Sequence, residues 1–163
     1  MSRTTFGLLL VCAAFAQAAI LPEVLPIEIV PGPVLVLIFL WSAKRGMQEA
    51  AFFAFGIGLL LDLLALDPLG ANGLALLGAV LLGMASRRRF FQSALVVPIV
   101  LAMFASLVYG MMLLGLRGAI DGVELEPAAA IRVLVPQALL NGLLVPVLYP
   151  IVGWLGSRVE VRS

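Results

Sequence analysis

The stretch Gly56-Ile57-Gly58-Leu59-Leu60-Leu61-Asp62-Leu63-Leu64-Ala65-Leu66-Asp67-Pro68-Leu69-Gly70-Ala71-Asn72-Gly73 reads as the end of one apolar helix, a short turn and the start of another. Asp62 stands in a run of otherwise apolar and small residues. A carboxylate at the centre of a membrane helix costs about 2.5–3.5 kcal/mol on insertion scales, so its presence asks for a compensating partner. Counting back in fours from Asp62 gives Gly58, Ala54 and Ala50, which share one slowly drifting helix face. Lines of small residues are where membrane helices approach closely. Asp62 is therefore expected to face protein rather than lipid.

The surrounding composition sets the solvent. The chain has 163 residues, 63% hydrophobic and 12% charged, with a mean hydropathy of +1.19. Soluble domains carry about 25% charged residues, so the medium is lipid. The length fits a single domain over residues 1–163. A net charge of +1 supplies no basic field for nucleic acid. The lack of histidine removes the usual general base and metal ligand, and a single cysteine, Cys12, allows no internal disulfide. Apolar surroundings suggest that Cys12 is a buried, inert thiol.

Six apolar segments follow, none with the alternation of a barrel strand. The first runs from Thr5 to Leu21 and is expected to stop at Pro22. Arg3, the apolar run from Phe6 and Ala16-Gln17-Ala18 together resemble a cleavable secretion signal. Because the next segment stays apolar, the run is read as the first membrane helix. The second segment falls between Val24 and Ala43. Pro26, Pro31 and Pro33 break its first half, and Val34 to Ala43 alone is short of the ~20 residues a span requires. Its early part is expected to be irregular and held against protein, with Glu28 close to water. Further helices are expected at Gln48–Leu66, Ala71–Ser86, Ser93–Leu116 and Pro127–Gly156. Pro136, Pro146 and Pro150 make the last one long, kinked or broken.

Charge placement suggests an orientation. Arg3, Lys44, Arg45, Arg87-Arg88-Arg89, Arg158 and Arg162 fall at one set of helix ends. Glu23, Glu28, Asp67, Asp121, Glu124 and Glu126 fall at the other, with Arg117 and Arg132 as the exceptions. By the positive-inside rule this gives six spans with both termini in the cytoplasm. The arginine triplet is read as meeting anionic headgroups or a cytoplasmic partner. Trp41, Trp154 and Tyr149 lie near helix ends and are assigned to the lipid interface.

Small residues recur every fourth position at Ala71, Ala75, Ala79 and Gly83, and at Ala94, Pro98, Ala102, Ser106 and Gly110. Both lines predict helix-docking faces. For Asp62 three readings stay open: a structural contact inside the bundle, contact with water at the outer surface, and ion or proton handling. Pro68 fixes a turn, Gly70 permits a positive φ and Asn72 could cap the incoming helix. Asp62 and Asp67, five apart, are expected on different faces. Gln137 and Asn141 share a face and suggest interhelical hydrogen bonds, with a substrate role as the alternative. No nucleophile–base pair, metal-ligand spacing or phosphate-cradling motif is present, so no enzyme activity, cofactor or metal is expected.

The segment from Gly58 through Asp62 to Asp67-Pro68-Leu69-Gly70-Ala71-Asn72 resembles the hallmark of MreD, the rod shape-determining membrane proteins of bacteria. Length, apolar character, the basic cluster after the fourth helix and Leu140-Asn141 followed by Pro146 are similar as well. The resemblance implies a multi-pass scaffold of the cell-elongation and peptidoglycan-synthesis machinery in the bacterial inner membrane. Its nearest partner would be MreC, a single-span protein with a coiled coil. MreB and the peptidoglycan synthases would be further members; homo-oligomerisation is left open. The implied fold is an all-α bundle similar to transporter substrate-capture subunits. Gly58, Asp62, Pro68, Gly70, Asn72, Gly83 and Asn141 are the residues expected to make structural or partner contacts. An exposed small-residue stripe carrying Gly58 or Gly83 is expected to receive the MreC span. The alternative is a substrate-binding membrane subunit of a vitamin or metal uptake transporter. It would need an outer pocket lined by convergent polar side chains. The polar supply looks thin for that: Asp62, Gln137, Asn141, Ser106 and Tyr109.

Overall fold

The run Val34-Leu35-Val36-Leu37-Ile38-Phe39-Leu40-Trp41-Ser42-Ala43 has no polar face, and a helix apolar all round belongs in an interior. A computed structural model places it there. It describes residues 2–24, 29–87, 95–122 and 126–157. Pro26, Glu28, Arg88, Arg89, Ser93, Ala94, Glu124, Arg158 and Arg162, invoked above, lie outside the described residues. All regular structure among the described residues is helical.

Helix α1 spans Ser2–Phe15 and runs on through a π-helical stretch, Ala16–Ile20, and a last turn, Leu21–Val24. It therefore passes Pro22 instead of stopping there. The Leu21 N–H reaches back to Ala16 O, and this widened turn just ahead of Pro22 accommodates a ring that regular α-geometry would exclude. Helix α2 spans Pro33–Arg45, α3 Met47–Ala65, α4 Ala71–Ala85, α5 Val96–Asp121 and α6 Pro127–Ser157. The three internal prolines of α6 leave it one continuous helix.

The segment that looked weakest as a span is the hub. Every residue from Val34 to Ala43 is buried, and α2 touches each of the other helices. With 13 residues it is about 20 Å long, short of the ~30 Å hydrocarbon thickness. Helix α4, at 15 residues, is also short. The helices long and apolar enough to cross a membrane are Arg3–Val24, Met47–Ala65, Val96–Ile120 and Pro127–Trp154. The chain is thus a multi-pass membrane protein in which the short α2 lies at the centre, while α4 keeps an exposed face.

The small-residue lines all turn inward. Ala50, Ala54, Gly58 and Asp62 are buried on α3, as are Ala71, Ala75, Ala79 and Gly83 on α4. Pro98, Ala102, Ser106 and Gly110 are buried on α5. A Cβ added to Gly58 would overlap the backbone of Gly73, so α3 and α4 touch main chain to main chain. One added to Gly83 would strike Ser42 and lie 2.6 Å from the Phe39 carbonyl oxygen, locking α4 onto α2. The expectation that these stripes receive another protein is corrected here. The chain's own helices already occupy them.

Two surface assignments are also corrected. Trp41 is fully buried, stacked on Phe6 with ring centroids 3.8 Å apart. It sits near the end of a helix that is itself interior, so its position along the sequence misled. Cys12 is exposed on the outer face of α1. Trp154 is exposed. Outside the core, α4 and α5 leave a shallow apolar groove lined by Leu74, Gly78, Leu81, Val108, Met112 and Gly115.

Candidate functional site

Helix α3 ends where Leu66 takes a left-handed conformation, φ 56°, and the N–H groups of Leu66 and Asp67 both donate to Asp62 O. The chain then turns through Pro68, whose carbonyl accepts from the Ala71 N–H at 3.1 Å. Gly70 follows with φ 93°, a conformation that costs glycine least. This turn delivers the first N–H groups of α4 onto the Asp62 carboxylate. Oδ2 accepts from the Gly70 N–H at 2.6 Å; Oδ1 accepts from the Asn72 N–H at 3.0 Å and from Asn72 Nδ2 at 2.8 Å.

Asp62 is only 1% exposed, and its carboxyl oxygens accept from three donors. The N-terminus of a helix presents unpaired N–H groups and partial positive charge, and a carboxylate suits both. The sequence assigned the cap of α4 to Asn72. The structure assigns it to Asp62, a residue of the preceding helix. Asn72 lies within the first turn and spends its side chain on the network instead.

Asn72 Nδ2 also donates to Asp67 Oδ2 at 3.1 Å, and Asn72 Oδ1 accepts from the Tyr109 hydroxyl. Asp67 Oδ2 pairs with Arg117 Nη2 at 2.5 Å. Helical spacing would put Asp62 and Asp67 on different faces. Because the helix stops at Ala65, the turn swings Asp67 back so that both carboxylates share Asn72.

A second set of amides holds the non-helical residues 29–32 that lead into α2, and its first turn. Asn141 Oδ1 accepts from the Gly32 N–H at 2.6 Å, and Asn141 Nδ2 donates to Ser106 Oγ at 2.7 Å. Gln137 Nε2 donates to the Val30 carbonyl at 3.2 Å. Gln17 Oε1 accepts from the Val34 N–H at 3.4 Å. Non-helical backbone in a membrane protein persists only where protein or water satisfies it; Gln137 and Asn141 do so from α6, while Gln17 of α1 accepts from an N–H in the open first turn of α2. The shared face of Gln137 and Asn141 was legible; their partner is this irregular strand as well as α5.

Between the two sets lies a cavity of about 680 Å³. Asp67, Asn72, Tyr109 and Arg117 line one side and Gln17, Gln137 and Asn141 the other, with Leu61, Leu76, Leu113 and Leu134 between. Asp62 is not in its wall. Of the polar side chains whose supply looked thin along the chain, Tyr109, Gln137 and Asn141 line this one space, whereas Asp62 and Ser106 lie outside its wall. Gln17, Gly32 and Arg117 were not singled out as site residues. The signal for Arg117 was present: with Arg132 it is one of two cations among the acids at that set of helix ends.

The Asp62 network joins α3, α4 and α5, while the amides tie α1, α2, α5 and α6, so the site runs through the whole bundle. A family model described as rod shape-determining protein MreD matches residues 2–159. No curated protein and no solved structure gives a match. The matched range covers Asp62, its turn, the cavity and every helix around them. The chain belongs to the MreD family of rod shape-determining proteins.

Proposed function

We propose that this protein is a non-enzymatic scaffold of the cell-elongation machinery in the bacterial inner membrane, with MreC as its nearest partner. MreB and the peptidoglycan synthases join the same assembly. The chain crosses six times with both termini in the cytoplasm, α2 completing its crossing with the extended residues before it. One observation carries the reading beyond the family: the buried carboxylate is committed to three internal donors. Asp62, Asn72 and Asn141 hold the fold, and the outer surface is left for partners. The MreC span lies in the apolar groove between α4 and α5.

Co-purification of MreC from detergent tests this. A Cβ at Gly115 or at Gly56 meets open space, so substitution at either is compatible with folding. Gly115→Leu fills the groove, whereas Gly56→Leu adds bulk to the exposed side of α3. The expected result is loss of MreC from Gly115→Leu and retention by Gly56→Leu. Retention by both would overturn the docking surface.

A second reading, a substrate-binding subunit of a vitamin or metal uptake transporter, draws on the ~680 Å³ cavity. The amides that face it are already engaged with backbone and neighbouring side chains, which favours the scaffold. A thermal shift of the purified protein with a defined vitamin would reverse that order.

A further inference from the structure

At the end of the bundle opposite the Asp62 network, several helix ends converge: the start of α1, the junction of α2 and α3, and the end of α4. Arg3, Arg45 and Arg87 line one open pocket there, with Glu49 as the only acid among its lining residues. Glu49 Oε2 accepts from Arg3 Nε at 3.1 Å, and Oε1 accepts from Trp41 Nε1 at 3.2 Å and lies 3.8 Å from Arg45 Nε. One carboxylate among three guanidinium groups leaves two positive charges in excess. Arg45 is positioned from two directions, by Glu49 and by the Trp41 ring, whose centroid is 5.7 Å from its guanidinium carbon. Trp41 is in turn fixed by stacking on Phe6.

The pocket wall then becomes apolar, through Gly7, Phe53, Phe52 and Met84. Phe52 is 79% exposed and lies on a helix long and apolar enough to span. It is five residues past the start of α3, about 7 Å along the axis. Guanidinium groups at the rim with exposed apolar side chains a turn deeper match the two halves of an anionic phospholipid. Planar guanidinium forks pair with phosphate oxygens. Basic side chains at a membrane surface draw anionic headgroups.

We propose that the pocket lined by Arg3, Arg45 and Arg87 binds the phosphodiester headgroup of an anionic phospholipid, with one acyl chain running along Phe52 and Met84. The shared chemistry is a phosphate oxyanion, which free phosphate could also supply; the apolar wall favours the lipid. The inference is independent of MreC binding.

The test uses the full chain, purified and placed in phosphatidylcholine vesicles with or without phosphatidylglycerol, then released for native mass spectrometry. Wild type is expected to retain phosphatidylglycerol in preference to phosphatidylcholine. The Arg3→Gln/Arg87→Gln variant is expected to lose that preference by about tenfold. Arg87→Gln alone, an exposed position past the end of α4, keeps the test readable if the pair is unstable, and is expected to weaken it in the same direction. Arg132→Gln, at an exposed site on α6, is expected to leave it unchanged. Equal retention of both lipids by wild type, or unaltered preference in the arginine variants, overturns the proposal. Thermal stabilisation by inorganic phosphate as large as that by phosphatidylglycerol would assign the pocket to a soluble anion and also overturn it.

Discussion

Helix α3 carries a carboxylate near each end, and the two have opposite surroundings. Glu49 lies in the first turn of α3, where the helix's own N-terminal dipole favours it, and its pairs with Arg3 and Arg45 sit at an open, cationic surface. Asp62 lies in the last turn of the same helix, where the local dipole disfavours it. What stabilises it is the N-terminus of the next helix, reached through the turn at Pro68 and Gly70. One acid sits favourably in its own helix's dipole and ties α1 and α2 together at an open pocket. The other belongs to its neighbour and to the interior. A charge on a membrane helix is therefore best judged by which helix terminus it meets, and only secondarily by its depth.

Breaking the interior end should cost far more than breaking the surface end. Asp62→Leu leaves the Gly70 and Asn72 donors without their acceptor at a position only 1% exposed. A loss of about 3–5 kcal/mol is expected, seen as collapse of the folded fraction by size-exclusion chromatography. Gly58→Ala forces α3 and α4 apart because the new methyl meets backbone, which cannot rotate away. It is expected to cost about 1–3 kcal/mol in thermal unfolding. Tyr109→Phe removes a single donor to Asn72 and should cost about 1 kcal/mol. Glu49→Gln is expected to cost least, about 0.2–1 kcal/mol, because the amide oxygen can still accept from Trp41 Nε1 and Arg3, 72% exposed, regains water. A Glu49→Gln effect as large as that of Asp62→Leu would erase the contrast between the two ends.

The interior end was partly written in the sequence. Fourfold spacing placed Asp62, Gly58, Ala54 and Ala50 on one buried face, because a regular helix preserves angular order. The same reasoning failed beyond Ala65, where left-handed Leu66 and the turn reset the direction and brought Asp67 beside Asp62. Span length marked residues 24–43 as short of a crossing, which fits a 13-residue α2, but it says nothing of where such a helix sits in the bundle. Helix α2 is short; Gln137 and Asn141 supply hydrogen bonds to the irregular residues before it, and Gln17 one to its first turn. Its absence of any polar face was the available sign of a central position. Small-residue spacing located close contacts without saying whether the partner was internal. Only the packing of Gly58 on Gly73, and of Gly83 on Phe39 and Ser42, decides that.

A double-mutant cycle on Asp62→Ala and Asn72→Ala, read as unfolding free energy in detergent, tests most directly whether the acid exists to fasten α4 onto α3. The expected result is that the double variant is less destabilised than the two single losses added together, by about 1–3 kcal/mol. Losses that simply add, to within about 0.5 kcal/mol, would mean the two side chains act independently and would contradict the account.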